Sequence, residues 1–265
     1  MQEAAETAIL PRFHTLIDAD IEEKSPGEVV TRADREAEAL ITPALRLLRP
    51  DAIVVGEEAT AATPELLNAV YNEQAFWLLD PLDGTSNFIA GSPDFAVMVA
   101  LVNSGVTTNA WIWRPMEREA WLAERGSGTT MNGEQVRIAV RARTAGTLRG
   151  SVRTRFLDEQ HRVFAEAAVP SLGENMPAGG CAYPDVITGL LDFVLFRRTL
   201  PWDHAPGSLI LQEAGGVARR WDGTDYLPGD QREGLIAASD EITWESAAAT
   251  LLQPRHRSGA KAAKT

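Results

Sequence analysis

Residues 76–88 read FWLLDPLDGTSNF, and the order of residue types in this stretch decides what must surround it. Phe76 to Leu79 form a short apolar run of the kind that makes a buried strand. Asp80 stands at the C-terminal end of that run. Pro81 has no N–H to give a sheet ladder, so the strand is expected to stop there. Gly84 permits a tight turn or a close approach of backbone to a ligand. Thr85-Ser86-Asn87 can then open a short helix whose first N–H groups lack partners. Two carboxylates, Asp80 and Asp83, therefore sit beside a helix start. Carboxylates repel phosphate and helix N-termini attract it. A divalent cation resolves the conflict, because it binds both the carboxylates and an anionic substrate.

Working outward, the preceding segments end in acids as well. VVTRADREAEALITPALRLL (29–48) reads as a helix starting near Thr31, with Asp34 in its first turn. DAIVVGEE (51–58) is a buried strand running into Glu57 and Glu58. Before these, residues 2–23 carry apolar positions at helical spacing, interrupted by Pro11, and KSPGE (24–28) reads as a loop. TPELLNAVYN (63–72) reads as a short helix or an excursion. After the motif, FAVMVALVNSG, VTTNAWIWRP, EREAWLAERGSG and TTMNGEQVRIAV read as successive antiparallel strands.

The chain turns polar between Arg141 and Thr147, where a subdomain boundary is expected. Beyond it, LRGSVRT, DFVLFRR, VARRWDG and GLIAASD read as strands. FLDEQHRVFAEAAV, CAYPDVITGLL, APGSLILQEAGG and EITWESAAATLL read as helices. In the third of these, Pro206 is placed near the first turn and Gly215-Gly216 past the end. The division is 1–143, carrying most of the acidic motifs, 144–254, contributing Asp203, and a basic 255–265 tail expected to be disordered.

Composition narrows the function classes. The 265 residues are 45% hydrophobic and 23% charged, which suits a globular chain with a sizeable core. A net charge of −12 argues against nucleic acid as a partner. No apolar run approaches the ~20 residues a bilayer span needs, and the acidic N-terminus does not look like a signal peptide. A cytoplasmic location and no membrane partner are expected. Cys181 is the single cysteine, which excludes an internal disulfide and a zinc–cysteine cluster. It lies in no basic motif, and the four histidines are not spaced as a metal or nucleophile set. The seven tryptophans are scattered through apparent strands and helices, as packing residues are.

Asp34, Glu57-Glu58, Asp80/Asp83 and Asp203 are each weak signals alone. GEE is ordinarily a solvated loop, and the aspartate of WDHAPG could be an N-cap. The Asp-x-x-Asp-Gly-Thr string does not have EF-hand spacing. Together, VVTRADREAE (29–38), VVGEE (54–58), WLLDPLDGTSNF (77–88) and PWDHAPGSLILQEAGG (201–216) resemble the four signature segments of the inositol monophosphatase superfamily, in order and over nearly the whole chain.

The resemblance implies an α/β layered sandwich of alternating α-β-α-β-α layers. It also implies a magnesium-dependent, lithium-sensitive phosphatase and a homodimer. Glu57, Asp80, Asp83 and Asp203 match the metal-binding carboxylates, and the Leu82 carbonyl matches a backbone ligand. Two or three Mg²⁺ ions, or Mn²⁺, suit an all-oxygen set. Gly84 and Thr85 match the N–H donors to phosphate. Asp34 and the Thr85 hydroxyl match the pair that orients and deprotonates the attacking water, and Glu57 joins them through its metal. Lys24 resembles a lysine near the mouth of the site, while Glu58 either binds a further metal through water or solvates the loop.

On the substrate side the chain departs from the inositol-specific pattern. Phe196 stands seven residues before Asp203, where those members carry a glutamate that binds sugar hydroxyls. Phe196 is thus an apolar substrate wall in this reading. Arg197 and Arg198 either solvate a strand end or recognise a second anionic group. His204 either contacts substrate or is a satisfied histidine at a helix start. Three functions remain open: a phosphatase for a small polyol or sugar phosphate; the same chemistry on a 3′(2′)-phosphoadenosine-type nucleotide, histidinol phosphate or fructose 1,6-bisphosphate; and a non-catalytic regulatory protein on a phosphatase fold.

Overall fold

A computed structural model describes residues 1–139, 148–152, 159 and 177–252. Helix α1 (Gln2–Ala4) continues through a π turn, Ala5–Ile9, and a 3-10 turn, Leu10–Arg12. The helical path breaks there, where Pro11 interrupts the pattern: His14 takes a left-handed φ of 63°, and only a 3-10 turn, Asp18–Asp20, follows before residue 21. The expected loop at 24–28 is instead the turn of a hairpin, β1 (Ile21–Ser25) and β2 (Glu28–Thr31). Helix α2 (Arg32–Leu48) follows with Thr31 as its N-cap, the place where the sequence pattern starts it.

Next come β3 (Ile53–Gly56), α3 (Glu57–Ala62), α4 (Ala69–Asn72), β4 (Ala75–Asp83), α5 (Thr85–Ile89), β5 (Ala96–Asn103), β6 (Val106–Arg114), β7 (Glu119–Glu124), β8 (Gly128–Met131) and β9 (Glu134–Val136). The second half supplies β10 (Gly150–Val152), α6 (Gly179–Thr188), β11 (Phe193–Phe196), α7 (Pro201–Glu213), β12 (Val217–Arg220), β13 (Leu235–Ala238) and α8 (Glu241–Leu251). The helix expected at 156–169, apart from residue 159, the boundary at 141–147 and the tail at 255–265 lie outside the described residues.

Strands β3 to β9 form one sheet in sequence order, parallel between β3 and β4 and antiparallel thereafter. The other large sheet has the order β10-β11-β13-β12. Strand alternation sorts β4 onto two faces. Trp77 and Leu79 pack with Ala33, Ala37, Ile41 and Leu45 of α2. Phe76 and Leu78 pack with α6 and α7 residues such as Tyr183 and Leu209, and this cluster continues into Val194 and Ala237 of the second sheet. On that sheet's far face, Phe193, Leu195 and Ile236 meet Trp244 and Leu251 of α8. The layers therefore run helix, sheet, helix, sheet, helix, the alternation expected. Five of the tryptophans, Trp77, Trp113, Trp121, Trp202 and Trp244, are buried in these clusters.

Two local readings change. Strand β4 does not stop at Pro81. Asp80 pairs with Met98 and Asp83 with Ala96, so three steps on β4 face two on β5. One extra residue makes a bulge, the place in a sheet where a proline's missing donor costs nothing. Helix α7 starts at Pro201, not near Ala205, with that proline at its first turn. Asp203 is accordingly inside the first turn.

Candidate active site

The bulge is what arranges the acids of β4. Asp80 is buried, and its Oδ1 accepts the Leu82 N–H at 3.0 Å. Asp83, beyond the bulge, accepts the Gly180 N–H at 2.5 Å, from the first turn of α6. Gly84 follows in the left-handed region, φ 90°, as the N-cap of α5. A Cβ on Gly84 would lie 2.8 Å from both the Ala178 Cβ and the Asp94 carbonyl, so a side chain is excluded by contact as well as by backbone angle.

Asp34 reaches this corner from α2. Its Oδ2 accepts the Thr31 N–H at 2.8 Å and the Thr31 hydroxyl at 2.6 Å. Its Oδ1 accepts the Thr85 hydroxyl at 2.8 Å, across 51 residues of sequence. The same hydroxyl is 3.1 Å from the Leu82 carbonyl, and its single proton can serve only one of the two acceptors at a time. Burial pushes the Asp34 carboxyl up to about 6, against the downward pull of the Thr31 and Thr85 bonds.

Glu57 is the first residue of α3 and Asp203 lies in the first turn of α7. One carboxylate oxygen from each of Glu57, Asp80 and Asp203 falls within 4.8 Å of the others. Burial, then the charges of Glu57, Asp83, Asp203 and Asp34, raise the Asp80 carboxyl well above its ordinary value. This is a group of like charges in want of a cation. Oxygens that share one hard dication at about 2.0–2.6 Å each fit such a spacing, so the donors present suit Mg²⁺ or Mn²⁺.

Lys24 donates to Glu57 at 2.8 Å and to Glu58 at 2.7 Å. Burial lowers the Lys24 ammonium, but the Glu57 charge and both hydrogen bonds outweigh it and leave the group above its usual range. Glu58 is raised to about 7, first by burial.

Three sequence readings find different neighbours. Phe196, expected as a substrate wall, has its ring in the core, stacked 5.6 Å from Tyr183 and edge-on 4.6 Å from His204. Its alternation on β11 turns it toward α6 and α7, which is where an apolar side chain loses least. His204 is buried, with Nδ1 3.0 Å from the Tyr183 hydroxyl and Nε2 3.0 Å from the Arg198 carbonyl. It is the satisfied histidine of the two alternatives. Arg197 pairs with Glu233, and Arg198 pairs with Glu28 of the hairpin.

Three contributors escaped the sequence reading. Glu38 accepts the N–H groups of Glu58 and Ala59 at 2.9 and 2.7 Å, capping α3 from another helix. Its only sequence signal is that it lies four residues after Asp34, on the same buried face of α2. Gly56 makes room for it, since a Cβ there would stand 2.5 Å from the Glu38 carboxyl. Gly179 and Gly180 are the other contributors. A Cβ on Gly179 would meet the Asp203 carbonyl at 3.2 Å and Asp83 Oδ2 at 3.5 Å.

Known proteins are similar to this chain over most of its length. Over 228 residues the chain is 34% identical to an inositol-1-monophosphatase of Mesorhizobium japonicum, covering 83% of this chain and 81% of that protein. It is 33% identical over 247 residues to the Nus factor SuhB of Pseudomonas aeruginosa, covering 88% and 86%. The crystal structure of the extragenic suppressor protein suhB from Bartonella henselae superposes with a TM-score of 0.79 at 25% identity, covering 95% of both chains. A family model described as the inositol monophosphatase family matches residues 1–259, from the first helix past the last, and the chain belongs to that family.

Proposed function

We propose that the chain is a Mg²⁺-dependent phosphatase that hydrolyses a small phosphate monoester with a metal-activated water. The observation that carries this reading is the 2.8 Å bond between the Thr85 hydroxyl and Asp34 beside the cluster of Glu57, Asp80 and Asp203. Glu57, Asp80, Asp83, Asp203 and the Leu82 carbonyl would hold two or three ions, Mg²⁺ or Mn²⁺. When bound, these supply a lowered water pKa and stabilise charge on the attacking and leaving oxygens.

The chain's own residues do the rest. Gly84 and Thr85 present backbone N–H groups to the phosphoryl oxygens. Thr85 Oγ1 accepts a proton from the attacking water as it passes its own to Asp34 Oδ1. The water oxygen joins phosphorus in line, the ester P–O bond breaks with its electron pair going to the ester oxygen, and that oxygen takes a proton from solvent water to leave as the alcohol. Thr31 holds the other oxygen of Asp34, so the acceptor cannot rotate away from Thr85.

The alcohol side offers little to a polyol. Phe196 stands where inositol-specific members carry a glutamate, and its ring packs inside the core, so no carboxylate at that position can bind sugar hydroxyls. Inositol 1-phosphate should therefore be hydrolysed unselectively, beside a nucleotide 3′-phosphate, histidinol phosphate and fructose 1,6-bisphosphate. Cytoplasmic location, homodimerisation and Li⁺ inhibition belong to the same proposal. Among the described residues no helix is long and apolar enough to cross a membrane.

The test is phosphate release from that panel with Mg²⁺ and with excess chelator. No release from any member in Mg²⁺, or full release in chelator with metal content verified as nil, would overturn the reading. The relatives named Nus factors support a second one, a role exerted through a partner. The net charge of −12 favours a protein partner over nucleic acid. A turnover-dead Asp83→Asn variant that still supports the cellular role would favour it.

A further inference from the structure

Helix α3 begins without a cap of its own. Its N-cap is Gly56, which has no side chain to accept the unpartnered N–H groups of the first turn. Glu57 is the first residue of that turn and supplies one oxygen of the cluster with Asp80 and Asp203. Fraying of the turn therefore carries a cluster carboxylate away with it.

The missing cap comes from α2. Glu38 Oε2 accepts the Glu58 N–H at 2.9 Å and Oε1 accepts the Ala59 N–H at 2.7 Å, one donor to each oxygen. One turn earlier on the same helix face, Asp34 accepts the Thr85 hydroxyl at 2.8 Å. A single helix thus holds Thr85 with one carboxylate and the start of α3 with the next, about 6 Å along its axis. Ala33, Ala37, Ile41 and Leu45 pack that helix against Trp77 and Leu79 of β4, which fixes both carboxylates to one frame. Gly56 is fitted to the arrangement. Its φ of −91° and ψ of 151° suit any residue, so backbone freedom does not explain the glycine. Space does: the atoms nearest a Cβ there are the Glu38 carboxyl carbon and its two oxygens, at 2.5, 2.6 and 2.6 Å.

We propose that Glu38 is a positioning residue for Glu57: as the cap of α3 supplied from another helix, it sets Glu57 in register with Asp34 and Thr85, and Gly56 is the notch that admits it. Glu38 is buried, so water does not readily take over its two bonds when it is removed. The capping stands on the hydrogen bonds and the glycine contact. Its consequence for Mg²⁺ rests on the phosphatase reading.

The full chain tests it in Glu38→Gln, Glu38→Ala, Gly56→Ala and the double variant Glu38→Ala/Gly56→Ala. The first readout is hydrogen exchange of metal-free protein at the Glu58 and Ala59 amides. Glu38→Ala should speed both by about five- to thirty-fold, the loss of a charged cap. Glu38→Gln keeps one acceptor and should fall between. Gly56→Ala keeps the carboxylate but displaces it, and should match Glu38→Ala. The double variant should be no faster than Glu38→Ala, because both changes act through one contact. The second readout is the Kd of Mg²⁺ by isothermal titration calorimetry. It should rise about threefold or more in Glu38→Ala and Gly56→Ala, and by no more than the exchange factor, since only molecules with the turn formed are competent to bind. A purely structural Glu38 would lower the metal-free Tm and leave the Mg²⁺ Kd unchanged. A Glu38 acting only as a nearby charge would weaken Mg²⁺ equally in Glu38→Gln and Glu38→Ala and spare Gly56→Ala. Either pattern overturns the proposal, as does unchanged exchange at Glu58 and Ala59. A wild type that binds no Mg²⁺ is a different failure, that of the phosphatase reading, and the metal-free exchange still decides the cap.

Discussion

Removing the Thr85 hydroxyl separates catalysis from stability at this site. In Thr85→Ala, the 2.8 Å bond to Asp34 Oδ1 and the 3.1 Å approach to the Leu82 carbonyl both disappear. Asp34 is fully buried, so the freed oxygen faces protein and not solvent. A lost hydrogen bond to a charged acceptor costs roughly 1.5–3 kcal/mol. Asp34 has a way to escape part of that. Its carboxyl already stands at about 6, so taking up a proton at pH 7 costs about 1.4 kcal/mol, one pKa unit. That sets the ceiling on the stability loss, and a fall in Tm of about 3–6 °C is expected for a chain of this size. Turnover should fall by about 10²-fold or more, equivalent to about 2.7 kcal/mol in the barrier. Thr85→Ser keeps the hydroxyl and should keep most of the rate. The assay is inorganic phosphate release at saturating Mg²⁺ on the most active substrate, with Tm measured on metal-free samples of the same proteins. An alanine variant within about threefold of wild type, or a serine variant as impaired as alanine, would show that another group orients the water.

Other outcomes follow from the same geometry. Mg²⁺ should raise the Tm of the wild type, by linkage worth about 2.7 kcal/mol at one hundred times Kd, and Asp83→Asn should lose most of that shift together with turnover; an unchanged midpoint in both proteins would remove the metal from the account. Phe196→Glu should destabilise the chain by about 3–5 kcal/mol, because it buries a carboxylate beside Tyr183 and His204; a stable variant with new selectivity for inositol 1-phosphate would instead place residue 196 in the substrate pocket. Asp230 is held down at about 2, chiefly by its hydrogen bond from Arg232. Its folded value is depressed, so its contribution is complete above the unfolded value near 3.8 and is lost as pH falls toward 2. The Tm deficit of Asp230→Asn should accordingly be present at pH 6 and shrink between pH 4 and pH 2, and a deficit that does not change with pH would refute that origin.

Sequence alone determined the parts of this protein that depend on neighbours along the chain. The helix that starts at Thr31, the turn glycine Gly84, the apolar run that makes β4 a buried strand and the order of the acidic segments are all local chemistry. The layered architecture follows from that pattern of elements. Tertiary structure decided everything that rests on register. Pro81 looked like the end of a strand because a proline ends a ladder, yet pairing with β5 absorbs it in a bulge that sets Asp80 and Asp83 apart. The hairpin at 21–31 was hidden because its strands are short, polar and carried by ion pairs to residues 57, 58 and 198. Glu38 reaches α3 and Gly180 reaches Asp83 only because elements distant in sequence dock at one corner. Phe196 holds the expected sequence offset from Asp203, but the side to which its ring turns is set by the packing of β11 against α6 and α7. A chain states which groups it owns and how each short segment prefers to bend; which of those groups meet is set by long-range packing, whose free energy no local stretch contains.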